Sequence, residues 1–286
     1  MLDLVLREHR KSLGLFEVGR VLPQAKRRMV GPFIFFDHMG PVDFAPGIPR
    51  EMDVRPHPHI GLATVTYLFN GEITHRDSTG VEIPIAPGEV NWMVAGSGIT
   101  HSERFEHLRS HGGRMDGIQT WVALPNEHEE TTPAFAHTTA TEITTFTEKG
   151  LTGRLIAGHA YGLTANVQTF SPLFYAHLLL ADGATCELPQ NHPERAAYIA
   201  AGAITYEGQT YSQGEMLIFH PGPTQSLRAQ GQTSLMLLGG SPVGERFIEW
   251  NFVSSSKDRI EQAKSDWRAG KMKLPDLDNG EFIPLP

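Results

Sequence analysis

The stretch TVTYLFNGEITHRDSTGVEIPIAPGEVNWMVAG, residues 64–96, decides the fold that we expect for the rest of the chain. It consists of short runs of β-branched and aromatic residues, and Asn-Gly, Thr-Gly and Pro-Gly turns separate these runs. Such punctuation is typical of antiparallel strands, and Asn70-Gly71 is a strong signal for a β-hairpin. Comparable runs recur along most of the chain, so we expect an all-β sandwich or barrel.

A second stretch, AAYIAAGAITYEGQTYSQGEMLIFHPG at residues 196–222, repeats the pattern of the first. Gly202 corresponds to Gly71, and Gly214 corresponds to Gly88. The period of about 130 residues is too long for a solenoid repeat. The repeat therefore predicts two stacked antiparallel β-barrels rather than one large sheet.

The boundary between these barrels is expected in the polar, Thr-rich stretch from His128 to Glu148. We assign residues 1–130 to an N-terminal barrel and residues 131–286 to a C-terminal barrel. The length of 286 residues is sufficient for two domains of ordinary size.

The C-terminal part departs from the strand pattern and predicts one helix over residues 256–269. Ser255 is the expected N-cap, with Asp258 three residues further on. Gly270 supplies the stop signal. The residues that fall on one face at helical spacing, and that we expect to pack on the β body, are Ile260, Ala263 and Trp267.

Composition and charge exclude several classes of protein. The formal net charge is −8 at pH 7, which argues against a basic face that would bind nucleic acid directly. The single cysteine, Cys186, permits neither an intramolecular disulfide nor a zinc site built from cysteines. The chain shows neither an apolar run long enough to span a membrane nor the pattern of a secretory signal at its start. We therefore expect a cytoplasmic protein, and a monomer.

Two pairs of potential metal ligands precede and follow residues 64–96. His57 and His59 lie two positions apart, and so do His101 and Glu103. Residues two apart on a strand point to the same side, so neighbouring strands would bring all four side chains together. Three imidazoles and one carboxylate suit a divalent metal such as Fe, Mn, Ni, Cu or Zn, and the absence of thiolates favours a reactive over a structural site.

The sequence around these pairs resembles the pirin family of the cupin superfamily. The resemblance rests on HPHIGLATVTYLFNGEITHRDSTG, IAPGEVNWMVAGSGITHSE, GPFIFFDHMGP, GIQTWVALP and FIEWNFVSSSKDRIEQAKSDWRAG, and it covers most of the chain. It implies a bicupin in which only the N-terminal barrel binds a metal, one ion per chain and usually Fe²⁺. The ligands that it implies in this sequence are His57, His59, His101 and Glu103.

The second copy departs from a metal site. When Gly202 is aligned with Gly71, Leu188 and Gln190 occupy the places of His57 and His59. The segment after Pro221, GPTQSLRAQ, contains neither a histidine nor a carboxylate. We therefore expect a C-terminal barrel without metal ligands.

The leading functional hypothesis is a metal-dependent dioxygenase. A divalent ion beside one carboxylate leaves a net positive site, which favours an anionic ligand such as a deprotonated flavonol. Several pirins resemble quercetin 2,3-dioxygenases, so the resemblance implies O₂ and an aromatic substrate. Glu103 would then be both a ligand and the catalytic acceptor of the substrate hydroxyl proton.

Two alternatives stay open at this point. Pirins are also described as transcriptional co-regulators, so the iron could be a redox-sensitive element of a protein that binds a regulatory partner. The metal could also merely tie two strands together. His75, on the strand after Asn70-Gly71, is expected at the surface from strand alternation rather than beside a ligand.

Overall fold

The structure, a computed structural model, describes residues 1–12, 17–223 and 226–286. In chain order, the first elements are β1 (Leu2–Arg7), β2 (His9–Ser12), β3 (Glu17–Leu22), β4 (Phe33–Phe44), β5 (Val54–His59), β6 (Leu62–Asn70), β7 (Ile73–Asp77), β8 (Glu82–Ile85), β9 (Val90–Val94), β10 (Ile99–Arg104), α1 (Glu106–His111), β11 (Gly113–Ala123) and β12 (Ala134–Thr138). The later elements are β13 (Thr144–Glu148), β14 (Leu151–Ala160), β15 (Leu163–Thr164), β16 (Leu173–Leu180), β17 (Thr185–Glu187), β18 (Glu194–Tyr206), β19 (Gln209–Ser212), β20 (Glu215–Phe219), β21 (Ser226–Gly240), β22 (Phe247–Glu249), β23 (Phe252–Ser254) and α2 (Lys257–Arg268).

The chain forms two compact units. The first is built mainly from Met1–Arg10, Gly19–His38 and Thr141–Pro242, and the second mainly from Met39–Ala140 and Val243–Pro286. Antiparallel strands make up most of each unit, and the C-terminal helix belongs to the second. The predicted all-β bicupin class with a C-terminal helix is confirmed.

The largest sheet of the first unit has the strand order β1-β20-β18-β21-β16-β14-β13, on which β15, β17 and β19 form short additional pairings. The sheet encloses an apolar core, because alternate side chains of its strands point to one side. Its fully buried members include Leu155, Ile199, Leu217 and Leu235.

The second unit has two larger sheets and the short pair β22-β23. One has the order β5-β10-β7-β8, and the other has the order β12-β9-β6-β11, extended by those residues of β4 that belong to this unit. Buried residues that include Leu68, Ile73, Ile85 and Met115 form a core cluster of this unit. No helix among the described residues is long and apolar enough to cross a membrane.

A single division of the chain at residue 130 would place its two ends in other units than those to which their contacts assign them. β1 pairs with β20 and therefore belongs to the unit that contains residues 141–242. The buried face of α2 packs around Ile60 and Phe252, so residues 243–286 group with residues 39–140. The division into residues 1–130 and 131–286 stays a prediction. The contacts place each end of the chain in the unit opposite to the one that this division gives it.

Asn70-Gly71 does not close a hairpin, so this prediction is wrong. β6 pairs with β9 and β11, whereas β7 pairs with β8 and β10 in the other sheet. Gly71 has a φ of 90°, and a Cβ there would lie 2.8 Å from the Arg114 carbonyl oxygen. The pair thus supplies a tight turn that only glycine accommodates, but this turn carries the chain from one sheet to the other.

The internal repeat has a structural counterpart at its glycines. Gly71 and Gly202 have φ values of 90° and 79°, and Gly88 and Gly214 have values of 81° and 85°. A Cβ on Gly202 would lie 2.4 Å from the Gln232 carbonyl oxygen. The two copies therefore use glycine in the same backbone conformation at matching turns.

The C-terminal helix agrees with the expectation except at its cap. Its three apolar residues, Ile260, Ala263 and Trp267, are all buried. The N-cap is Ser256, whose side chain accepts a hydrogen bond from the Arg259 N–H. Ser255 instead bonds Glu129, through its own N–H at 2.8 Å and its hydroxyl at 3.0 Å. The cap is thus displaced by one residue because Ser255 has a tertiary partner.

Replacement of Ser256 by alanine is expected to lower the free energy of unfolding by about 1 kcal/mol, because the helix loses its N-cap. Denaturant unfolding of the two proteins measures this difference. Ser256→Asp is the matched control and should retain wild-type stability, since aspartate also caps helices. Equal stability of Ser256→Ala and the wild type would contradict the role of Ser256.

A buried histidine of the first unit makes stability depend on pH. Burial, followed by repulsion from Arg154, lowers the pKa of His177 to about 3. His177 therefore binds a proton near pH 6.5 in the unfolded chain, whereas in the folded chain it stays neutral until the pH is much lower. The contribution of His177 is complete above pH 6.5 and is lost as the pH falls from 6.5 towards 3.

We expect the wild type to lose about 2 kcal/mol more than His177→Gln between pH 6.5 and pH 4.5, because each pH unit in this window costs about 1.4 kcal/mol. Urea unfolding at a series of pH values measures the difference. His107→Gln, which replaces an exposed histidine, is the control and should follow the wild type. Parallel curves for wild type and His177→Gln would contradict the prediction.

Candidate metal centre

Three histidines meet where β5 pairs with β10. The antiparallel register places His101 opposite His57 and Ile99 opposite His59. The ring centroids lie 4.4 Å apart for His57 and His101, 5.1 Å for His59 and His101, and 4.9 Å for His57 and His59. One potential ligand nitrogen from each ring falls within 4.8 Å of the other two. The two strands thus bring together the three imidazoles that the spacing singled out.

Hydrogen bonds fix the orientation of two of these rings. Nδ1 of His57 lies 2.9 Å from the Arg55 carbonyl oxygen, and Nδ1 of His59 lies 3.0 Å from the Asn251 carbonyl oxygen. A carbonyl oxygen only accepts, so Nδ1 of each ring carries the proton and donates it. The Nε2 lone pairs of His57 and His59 are therefore free to bind a metal, which is the second-sphere arrangement common to metal-bound histidines.

His101 has no such partner. Both of its ring nitrogens are buried, and neither makes a hydrogen bond within the part of the chain that the structure describes. A buried polar group without a partner costs about 1–3 kcal/mol. This cost is removed if one nitrogen binds a cation.

All three imidazoles are neutral at physiological pH. Burial, together with the charge of His75, lowers the pKa of His57 to about 4, although the Arg55 carbonyl opposes this shift. Burial and the other histidines also hold the pKa values of His59 and His101 well below the usual range. Neutral imidazole is the form that binds a metal, so the site does not depend on removal of bound protons.

Glu103 lies on the same strand as His101, but it does not join the close group of three histidines. A β-bulge shifts the register between His101 and Glu103, so Glu103 pairs with Val54 instead of Arg55. Regular alternation, on which the four-ligand expectation depended, is therefore interrupted. Burial raises the pKa of Glu103 to about 7. Its role as a fourth ligand stays a prediction.

Aromatic and polar side chains surround the three histidines. The Trp121 ring lies 5.0 Å from that of His59, and the His75 ring lies 5.3 Å from that of His101. His75 stacks on Phe135 at 4.5 Å, and its Nε2 lies 3.0 Å from Asp77 Oδ2. The expectation that His75 is at the surface is wrong, because β7 lies beside β10 and both faces of this segment are covered.

The last segment of the chain packs against the strands that carry the site. Arg104, directly after Glu103, donates to both carboxylate oxygens of Asp278 at 2.7 Å. The Ser102 hydroxyl donates to Asp278 Oδ2 at 2.6 Å, and the Ile283 N–H donates to the Pro56 carbonyl oxygen at 2.8 Å. Sequence analysis missed this segment, since a lone aspartate 174 residues from its arginine leaves no local pattern.

The donor set fits a divalent transition metal. Three neutral imidazoles from two paired strands offer nitrogen ligands, and neither ring nitrogen of His101 has a hydrogen-bond partner among the described residues. Antiparallel sheets in two repeated units, one of which carries such a histidine cluster, are the arrangement of a bicupin with a candidate metal site.

The chain belongs to the pirin family. The model of the Pirin family matches residues 15–122, and the model of the Pirin C-terminal cupin domain matches residues 175–273. A pirin-like protein of Caulobacter vibrioides is 63% identical over 287 residues, which is 100% of both chains. These matches confirm the family resemblance that the sequence suggested.

Two further relatives carry an enzyme name. A Pseudomonas aeruginosa protein with a provisional quercetin 2,3-dioxygenase name is 37% identical over 268 residues, which cover 93% of this chain and 83% of that protein. The crystal structure of a quercetin 2,3-dioxygenase from Acinetobacter baumannii has a TM-score of 0.91 at 27% identity and covers 100% of this chain and 95% of that one. The chain is thus similar to proteins that are named as oxidoreductases.

Proposed function

We propose that the chain is a metal-dependent dioxygenase that acts on quercetin-like flavonols or other enolisable aromatic compounds. The observation that carries the proposal is the group of three buried, neutral histidines, two of which have their Nδ1 protons held by carbonyl groups. The similarity to a quercetin 2,3-dioxygenase over the whole chain supports the same activity. The alternative is an iron-containing, redox-sensitive regulatory protein that binds a protein partner, and the net charge of −8 suits binding of a protein rather than of DNA.

In this proposal His57, His59 and His101 hold one divalent cation per chain, and Glu103 is the fourth ligand. Fe²⁺ is the expected ion, and Mn, Ni, Cu and Zn also suit a nitrogen and oxygen donor set. Bound iron would supply the one-electron chemistry that allows a flavonol anion to react with O₂.

Glu103 is proposed as the acceptor of the substrate proton. Burial alone raises the pKa of Glu103 to about 7, and a bound cation would lower this pKa, so that the group is a carboxylate able to accept a proton near neutral pH. Its Oε atoms would take the proton of the flavonol hydroxyl and thereby leave the substrate as an anion. Trp121 and Phe135 lie against the ligand histidine His59 and against His75, respectively, and present aromatic surface for a planar substrate.

The test is a single-turnover experiment. The protein is loaded with Fe²⁺ without oxygen, its metal content is measured, and quercetin is added before air is admitted. We expect the flavonol absorbance to disappear, with release of CO and a ring-cleaved ester. The same protein loaded with Zn²⁺ is the control and should leave quercetin intact.

Glu103→Gln tests the proton acceptor in the same assay, and the turnover rate is expressed per bound iron because Glu103 is also the proposed fourth ligand. The amide cannot accept the hydroxyl proton, so we expect the turnover rate to fall by at least about 100-fold. His107→Gln should match the wild type, since His107 is exposed on α1. Stoichiometric iron without any quercetin cleavage in the wild type would contradict the proposed activity.

A further inference from the structure

The first unit contains a large pocket that has no part in the proposed metal site. Its volume is about 830 Å³, which lies within the range of small-molecule sites. All of its lining residues fall between Phe146 and His192. Leu188 and Gln190, which replace His57 and His59 in the repeat, belong to this lining. In the sequence repeat, this pocket of the C-terminal barrel thus corresponds to the candidate metal site of the N-terminal barrel.

The lining combines apolar walls with a small number of polar groups. Aliphatic and aromatic side chains at the pocket include Phe146, Leu151, Leu163 and Leu188. The Tyr161 ring lies 4.7 Å from the Phe146 ring, and the Tyr161 hydroxyl donates to the Glu187 carbonyl oxygen at 2.7 Å. This hydrogen bond fixes the aromatic wall, so the pocket is pre-formed.

The charges at the pocket disfavour an anion. Glu148 and Glu187 are the charged residues of the lining that the structure describes, and no lysine or arginine is among the described lining residues. An anionic ligand would meet like charges and would find no cation. The pocket therefore differs from the site in the second unit, which a bound cation would make attractive to anions.

His192 provides a buried hydrogen-bond acceptor in the pocket wall. Its Nε2 lies 2.9 Å from the His159 carbonyl oxygen, so Nε2 carries the proton and donates it. Burial keeps the ring neutral by lowering its pKa, although the His159 carbonyl opposes this shift. Nδ1 therefore presents a lone pair, and it is buried without a partner among the described residues. A donor on a ligand would satisfy it.

We propose that this pocket binds a neutral aromatic small molecule that donates a hydrogen bond to Nδ1 of His192. The apolar walls hold the ring system, the two glutamates exclude anions, and His192 selects molecules with a hydroxyl or N–H donor. This site needs no metal. The C-terminal barrel, which lies in the first unit, is thus a ligand-binding module rather than only a structural copy of the N-terminal barrel.

The probes are three naphthalenes of the same shape. 2-Naphthol is neutral at pH 7 and donates a hydrogen bond, 2-methoxynaphthalene lacks the donor, and 2-naphthoate is an anion. Naphthalene fluorescence is titrated with metal-free protein in the presence of a chelator. We expect 2-naphthol to bind about tenfold more tightly than each of the other two, since one hydrogen bond is worth about a factor of ten.

Variants locate the binding. His192→Phe removes Nδ1 and also the hydrogen bond from Nε2 to the His159 carbonyl oxygen. It should weaken 2-naphthol about tenfold and leave 2-methoxynaphthalene within twofold, because only 2-naphthol donates to Nδ1. Gln190→Trp, at an exposed lining position, should block both neutral probes without affecting the core. His101→Leu is the matched control in the other unit and should leave all three affinities unchanged.

Three results would overturn the proposal. They are failure of 2-naphthol to bind the wild type, equal affinity for 2-naphthol and 2-naphthoate, and unchanged binding in Gln190→Trp. Since Gln190 is exposed, Gln190→Trp remains informative even if His192→Phe does not fold.

Discussion

His101→Leu is expected to abolish stoichiometric metal binding without weakening the fold. The histidine supplies one of three close nitrogens. Loss of a group that only orients a ligand lowers metal affinity by about 10- to 100-fold, so loss of the ligand itself should lower it by more than about 100-fold. Because neither ring nitrogen has a hydrogen-bond partner in the part of the chain that the structure describes, leucine leaves no group there unsatisfied. The metal-free variant should therefore be at least as stable as the metal-free wild type.

Two measurements check this expectation. Elemental analysis after loading with Fe²⁺ gives the metal content, and urea unfolding in a chelator gives the stability. His177→Gln, which replaces a buried histidine of the other unit, should bind metal like the wild type. Full iron occupancy in His101→Leu would contradict the site, and a severe loss of stability without metal would show that His101 has a structural role.

Asp278→Ala is expected to lower the free energy of unfolding by about 3 kcal/mol, because it removes a carboxylate partner of the buried Arg104 guanidinium. The guanidinium of Arg104 is 1% exposed and donates two hydrogen bonds to this carboxylate. Asp53 and Glu281 still contact Arg104, which keeps the loss at the lower end of the usual range. Denaturant unfolding measures the difference.

Asp276→Ala is the matched control for this experiment. Asp276 pairs with Lys273 at 2.9 Å, but both side chains are exposed, so its loss should cost less than about 0.5 kcal/mol. A similar effect of both substitutions would contradict the importance of the buried pair.

The pKa of Asp278 determines how the stability of the protein changes in acid. Burial raises its pKa, but hydrogen bonds from Arg104 and Ser102 outweigh this effect, so the pKa is lowered overall. Its contribution is present above the ordinary aspartate pKa and is lost as the pH falls through the lower value of the folded protein. Asp278→Ala should therefore lose less stability than the wild type below pH 4.

The sequence predicts those features that depend on local periodicity or on repeated patterns. The strand class, the apolar face of α2 and the glycines of both copies follow from spacing and turn chemistry. His57, His59 and His101 could be found because two short motifs flank a recognisable pair of strands. These features need no knowledge of which strands become neighbours.

Features that depend on strand partners could not be predicted in this way. Asn70-Gly71 signals a turn, but the partner of β7 is β10 rather than β6. His75 is buried because of that pairing, and alternation along one strand does not show it. The bulge beside Glu103 and the Arg104–Asp278 pair likewise depend on contacts between distant segments.

The placement of the chain ends has a consequence for biosynthesis. Residues 243–286 belong to the unit that contains the three histidines, and the Asn251 carbonyl that orients His59 is made almost two hundred residues after it. The nascent chain therefore exposes the histidine strands on the ribosome long before the segment that completes them has emerged. Binding of the proposed metal should accordingly require that residues 243–286 have emerged, and ribosome-bound chains that end before residue 243 should not retain a metal ion.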